Sequence, residues 1–150
     1  MTQLRLHHVA VLVRSLSSVE RSLPQDLERL DVATFRDEGT TEQYIDLDPT
    51  GRPSLLLVEA TGDGPYRMAL AKRGPGLHHL GYVTNRLEDA VEHFAEERLL
   101  LHTYSLRSLS KRVAWMCRPG VPFLIEIQER SAAEKNTAPM CHLGRPIGAD

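Results

Sequence analysis

The chain has 150 residues, 41% of them hydrophobic and 25% charged, with a formal net charge of −2. That length suits one domain with a real core, and the balanced charge gives no electrostatic reason to expect nucleic acid or an anionic membrane. No apolar run approaches the roughly 18 residues of a bilayer span, and Cys117 and Cys141 set no CxxC framework, so a reduced, cytoplasmic chain is expected.

The opening MTQLRLHHVAVLV lacks the basic start and small-residue cleavage site of a signal peptide and reads as a strand. Ser17-Ser18-Val19-Glu20 has the pattern of a capping box, and Leu16, Val19, Leu23, Leu27 and Leu30 fall at helical spacing, with Pro24 predicting a kink or break. Strands are predicted at residues 32–36, 44–48 and 54–59, with a turn at Asp48-Pro49-Thr50-Gly51. A short helix over 65–73 stops at Gly74-Pro75-Gly76; no GK[ST] follows, so these glycines are no phosphate loop. The run GLHHLGYVT is the next strand. Asn85, with Glu88 three residues on, caps a helix whose Leu87, Ala90, Val91 and Phe94 share a face. Strands follow at 102–108, 112–117 and 122–129, with a turn at Pro119-Gly120. The tail, residues 131–150, is polar and expected to be loose or wrapped on a neighbour.

The chain spells Leu-His-His before a β-run twice. At an offset of 71, Leu6, His7, His8, Ala10 and Leu16 match Leu77, His78, His79, Gly81 and Leu87. Each half reads β-α-β-β-β, which makes residues 1–130 a single α+β domain of two modules, about 4–60 and 76–130, joined by the helical linker. Two copies indicate an internal duplication and not a solenoid. Such modules can bury their sheets under their own helices and curve together, leaving a cleft lined by the uncovered faces.

Strand alternation sorts the histidines. His7 shares a face with Val9, Val11 and Val13, the natural partner of a covering helix, so His7 and His78 are expected to be structural. His8 and His79 look the other way, beside the small Ala10 and Gly81. In the last strand Phe123, Ile125 and Ile127 form the helix-facing stripe, and Glu126 points to the opposite side, where a carboxylate must be paired, ligated or solvated. Residues 55–59 align on 125–129 at an offset of 70, which puts Leu56 in the place of Glu126. Two neutral imidazoles and one carboxylate suit a single catalytic divalent ion: zinc, cobalt, manganese, nickel or iron. The bland alternatives are two core histidines bonded to backbone, and Glu126 paired with Arg112 or Lys111.

These motifs resemble the vicinal oxygen chelate superfamily over roughly residues 4 to 130. HHVAVLV, KRGPGLHHLGYVT, KRVAWM and FLIEI are similar, in order, to motifs of its methylmalonyl-CoA epimerase-like branch, and AKRGPGLHHLGYVTNRLEDAV is the most specific piece. The resemblance implies paired βαβββ modules forming a cupped, mostly antiparallel sheet around a metal, with ligands at His8, residue 56, His79 and Glu126. The chain departs from the branch at Leu56, where Gln, Glu or His is usual, and at Ser22-Leu23-Pro24-Gln25-Asp26, where an aromatic-rich helix end is usual. Extradiol dioxygenases of the same superfamily use two histidines and one glutamate and leave the equivalent of Leu56 unused. The resemblance also implies a catalytic acid or base at Glu42, which otherwise reads as a solvated loop residue. Glu59 and Glu129 read as solvated strand ends, Cys117 as a packing residue, and Lys72, Arg73, Lys111 and Arg112 as surface cations or contacts for a phosphate or coenzyme A tail.

The expected function is that of a metal-dependent isomerase or lyase, enolising a small carbonyl compound or acyl thioester with Glu126 and Glu42 in catalytic roles. Two alternatives stand beside it: an Fe(II) ring-cleaving dioxygenase, and a binding or resistance module without chemistry. The expected partner is a small molecule; a homodimer stays open.

Overall fold

A computed structural model describes residues 2–48 and 53–130. The first half contains β1 (Leu4–Val13), α1 (Leu16–Ser22), β2 (Glu28–Arg29), β3 (Ala33–Phe35), β4 (Thr40–Asp46) and β5 (Ser54–Ala60). A linking helix, α2 (Pro65–Arg73), leads to β6 (Gly76–Thr84) and α3 (Leu87–Glu96). Then come β7 (Leu100–Leu101), α4 (Ser105–Ser108), a 3-10 turn at Leu109–Lys111, β8 (Val113–Cys117) and β9 (Leu124–Glu129). The fold is α+β: one mixed sheet ordered β2-β4-β5-β1-β6-β9-β8-β7, with β3 also pairing β4.

The two Leu-His-His strands lie side by side at the centre. β1 and β6 run antiparallel and join the halves, and each has a parallel partner on its other side, β5 for β1 and β9 for β6. The remaining neighbours are antiparallel. The pairings repeat between halves: Leu56 lies between Ala10 and Tyr44, and Glu126 between Gly81 and Trp115. Leu56 is therefore the structural counterpart of Glu126.

Three apolar clusters fix which face is which. Under α1, Leu16 and Val19 pack with Val11, Val13, Ile45, Leu55 and Leu57. Under α3, Leu87 and Ala90 pack with Ala114, Met116, Phe123, Ile125 and Ile127, the predicted helix-facing stripe. The third cluster is on the opposite face of the sheet, inside the cup: Tyr66, Ala69 and Leu70 of α2 pack on Ala10, Leu12, Tyr44, Leu56 and Val58. Alternation along β1, β5 and β9 produces this division, because residues two apart share a face.

Local structure departs from the sequence reading in several places. The first helix is capped by Ser15, whose side chain accepts from the Ser18 N–H, and not by Ser17. It ends at Ser22, before Pro24, so Leu27 and Leu30 pack from outside the helix. Asn85 does not cap the second helix; Arg86 holds that position, and the Asn85 Oδ1 accepts from the Gln3 N–H. The predicted strand at 32–36 is shorter, 44–48 begins earlier at Thr40, and β2 was not foreseen. The predicted strand at 102–108 is replaced by the short β7 and α4. Helix α2 has the predicted bounds, with Pro65 in its first turn. The turn at 48–51, in part, and the tail lie outside the described residues. No described helix is long and apolar enough to cross a membrane.

Candidate metal centre

The central strands are irregular where the histidines are. Between Leu6/Tyr82 and His8/Gly81 the register gains one residue, His7; between Ala10/His79 and Val11/Leu77 it gains another, His78. Each is a β-bulge, which breaks the alternation of faces. As a result His7 is not on the helix-covered face, and neither is His78. Both turn into the cup beside their neighbours. The His7 ring meets Tyr44 edge-on at 6.0 Å between centroids, and the His78 ring stacks on Tyr66 of α2 at 4.6 Å.

His8 and His79 extend towards each other across the β1–β6 pairing, with their Nε2 atoms 3.1 Å apart. Glu126 comes up from β9: Oε1 is 3.7 Å from His8 Nε2, and Oε2 is 3.9 Å from His79 Nε2. One donor atom from each of the three lies within 4.8 Å of the others, and all three residues are 0–1% exposed. An ion about 2.1 Å from each donor spans ligand pairs about 3.0 Å apart at right angles and about 3.4 Å apart at tetrahedral angles. The imidazole pair falls inside that range, and the carboxylate is a few tenths of an ångström wide of it. The donor set fits one divalent cation.

The surroundings hold the three in place. Trp115 meets the His79 ring edge-on at 4.9 Å and Tyr44 meets His8 at 5.6 Å. Gly81 lies against the His8 ring, so that a Cβ at that position would overlap it. Gln128, two residues along β9 from Glu126, donates from Nε2 to Glu126 Oε1 at 2.7 Å, and Arg130 donates to the Gln128 Oε1 at 3.1 Å. Tyr44, Trp115 and Gln128 were not singled out from the sequence. Tyr44 and Trp115 stand 71 apart, so the offset that matched the histidines also finds them; Gln128 shares the Glu126 face by alternation.

The other predicted residues fall as follows. Glu42 is no solvated loop residue: it is buried on β4, on the Tyr44 side, and accepts from the Thr40 hydroxyl at 2.8 Å. It lies outside the three-donor group. Leu56 is fully buried among apolar cup residues. Glu59 and Glu129 are not simply solvated. Glu59 accepts from the Leu16 N–H at 2.9 Å and Glu129 from the Leu87 N–H at 2.7 Å, each a carboxylate at a helix N-terminus where the helix dipole favours it. Arg112 does not pair with Glu126. It is clamped between Glu88 and Glu129 at 2.6 and 2.5 Å. The guanidinium beside them pulls Glu88 down to about 2 and holds Glu129 below the usual carboxylate range, and the two carboxylates push Arg112 up.

A cavity of about 720 Å3 opens beside the centre, lined in part by Lys72, Arg73, His78, His102, Tyr104 and Cys117. Burial pushes the His102 imidazole below its ordinary value, which favours the neutral ring. Its Nδ1 accepts from the Tyr104 N–H at 3.2 Å. The cavity reaches the cup at His78, whose ring touches His79.

Solved structures share this architecture. A hypothetical protein, BH1468 from Bacillus halodurans C-125, superposes with a TM-score of 0.69 at 19% identity, over 86% of this chain and 96% of that one. Methylmalonyl-CoA epimerase from Mycobacterium tuberculosis gives 0.66 at 18% identity, over 86% and 89%. The chain has the vicinal oxygen chelate fold. Its structural neighbours include the epimerase-like branch, as the sequence motifs implied. A Streptomyces coelicolor methylmalonyl-CoA epimerase variant in complex with 2-nitronate-propionyl-CoA gives 0.61 at 19% identity, over 83% of this chain and 96% of that one. Among curated sequences the chain is 29% identical over 100 residues to the uncharacterized protein YqjC of Bacillus subtilis (strain 168), spanning 65% of this chain and 69% of that protein. No family model matches the chain.

Proposed function

We propose that the protein is a metal-dependent enzyme that moves a proton at the carbon next to the carbonyl of an acyl thioester, as an epimerase does. The observation that carries this reading is the enclosed convergence of His8, His79 and Glu126. A divalent ion bound there would supply Lewis acidity towards a carbonyl oxygen. Two neutral imidazoles and one carboxylate hold the site at a charge that leaves such an ion electrophilic. Trp115 and Leu56 wall off water, and the Gln128 amide fixes the carboxylate that completes the set. Glu42 is the proton carrier, a buried carboxylate on the cup side of β4 oriented by the Thr40 hydroxyl. Lys72 and Arg73 at the cavity rim suit a phosphorylated tail, which matches the acyl-CoA compounds bound by the epimerases of this fold.

The test is metal analysis of protein purified without chelator, together with proton NMR of a methylmalonyl-type acyl-CoA in D2O. Expected are one equivalent of divalent metal and exchange of the proton next to the carbonyl, lost in His79→Ala and in Glu42→Gln. Metal-free protein without exchange would reject the reading.

One observation favours a second reading, ring cleavage by Fe(II). The counterpart of Glu126 is the apolar Leu56, leaving two histidines and one carboxylate, the donor set of non-haem iron oxygenases. Iron as the bound metal, with oxygen uptake on a catechol, would select it.

A further inference from the structure

The four histidines of the two repeats form one continuous chain of ring nitrogens. His7 Nδ1 is 2.9 Å from His8 Nδ1, His8 Nε2 is 3.1 Å from His79 Nε2, and His79 Nδ1 is 2.8 Å from His78 Nδ1. The outer links are the short ones, and both depend on the bulges, which swing His7 and His78 onto the side of the sheet that alternation denies them. An adjacent pair of strand residues does not bring its rings together otherwise. That the same irregularity stands at the same place in both halves, 71 residues apart, ties it to what the inner two rings do.

A neutral imidazole that gives Nε2 to a cation must carry its proton on Nδ1. For His8 that N–H points at His7 Nδ1, and for His79 at His78 Nδ1. Each outer ring must then offer a bare Nδ1 and keep its own proton on Nε2. We infer that His7 and His78 are paired positioning residues, each accepting the Nδ1–H of the adjacent metal-binding histidine and so fixing its tautomer and ring angle. Metal-ligating histidines in general donate their second ring N–H to a carboxylate, a carbonyl or water; here an imidazole takes that place twice. The packing suits the task. Both outer rings are buried, His7 edge-on to Tyr44 and His78 stacked on Tyr66, contacts that hold the plane of each ring.

This inference rests on the metal reading above, and the experiment separates the two. Co2+ is titrated into the metal-free protein in competition with a chelating dye, and its visible absorption bands are recorded for wild type, His7→Leu, His78→Leu, His7→Asn and His78→Asn. Asparagine can place Oδ1 near the position of the histidine Nδ1 and so restores the acceptor; leucine cannot. The leucine variants are expected to bind Co2+ about 10- to 100-fold more weakly with altered bands, and the asparagine variants to stay within about threefold of wild type. Thermal unfolding of the metal-free variants shows which of them fold. On wild-type protein loaded with zinc, 15N NMR is expected to show the proton on Nδ1 of His8 and His79 and on Nε2 of His7 and His78. Wild type that takes up no Co2+ overturns the metal reading and this one with it. Wild type that binds, with leucine variants that bind equally or with Nδ1–H at His7 or His78, overturns the positioning role alone.

Discussion

Position 81 has no room for a side chain, because the His8 ring occupies the space a Cβ would fill. Gly81→Ala should therefore push His8 out of line while leaving His79 and Glu126 on their own strands. The expected result is a folded protein, by circular dichroism, whose Co2+ affinity drops at least tenfold, the scale of losing a positioned ligand. Leu56 poses the opposite question. It occupies the Glu126 place of the first half, so Leu56→Gln should add a donor and tighten Co2+ binding; unchanged affinity would show that residue 56 does not reach the ion. At this scale the sequence exposed His8, His79 and Glu126, because a histidine beside a small residue and a carboxylate among isoleucines both stand out once faces alternate. His7 and His78 were misplaced. A bulge adds one residue to a ladder, and nothing in LRLHHVAV marks where the ladder slips.

Elements are tied together here by carboxylates at helix starts. Glu59 holds the first N–H of α1 and Glu129 that of α3, so each module's last strand fastens its own helix. Glu59→Ala is expected to cost about 1 kcal/mol, seen as a fall of about 2–4 °C in melting temperature. Glu129 carries a second load through Arg112, which also holds Glu88. Both carboxylates titrate below their unfolded values, so their contribution is present above about pH 4.5 and is lost as the pH falls towards about 2. Arg112→Met should thus melt lower than wild type at pH 6, with the gap narrowing steadily below about pH 4.5 towards about pH 2 in a series of thermal scans. The linking helix was legible to the residue from Pro65 and the glycines after it. The segment 102–108 was not, because its fate is decided by tertiary bonds. Ser105 Oγ donates to the Trp115 carbonyl and accepts the Trp115 N–H, and Ser108 Oγ donates to the Val113 carbonyl, so two serines on a helical turn satisfy the β8 backbone that a strand would have paired.

For the molecule as a whole, a ligand bound only by the folded state adds stability as its concentration exceeds its dissociation constant, about 2.7 kcal/mol at a hundredfold excess. Divalent metal should accordingly raise the melting temperature of the wild type, chelator should reverse the rise, and His79→Ala should abolish it. The cupped sheet and its duplication could be read from the 71-residue offset, since both halves obey the same hydrophobic alternation. That α2 would close over the cup could not be read, because it depends on Tyr66 finding His78 and on Leu56 offering an apolar floor.

That closure has a kinetic consequence. With His8, His79 and Glu126 each 0–1% exposed and Tyr66 stacked on the neighbouring His78, a chelator as large as EDTA has less access to a captured ion than it would at an open surface site. Spontaneous release from the three buried donors would then precede capture by the chelator. Stripping by EDTA should therefore accelerate at low chelator and then level off at a ceiling equal to the rate of spontaneous ion release, whereas direct attack at an open site would keep rising with chelator.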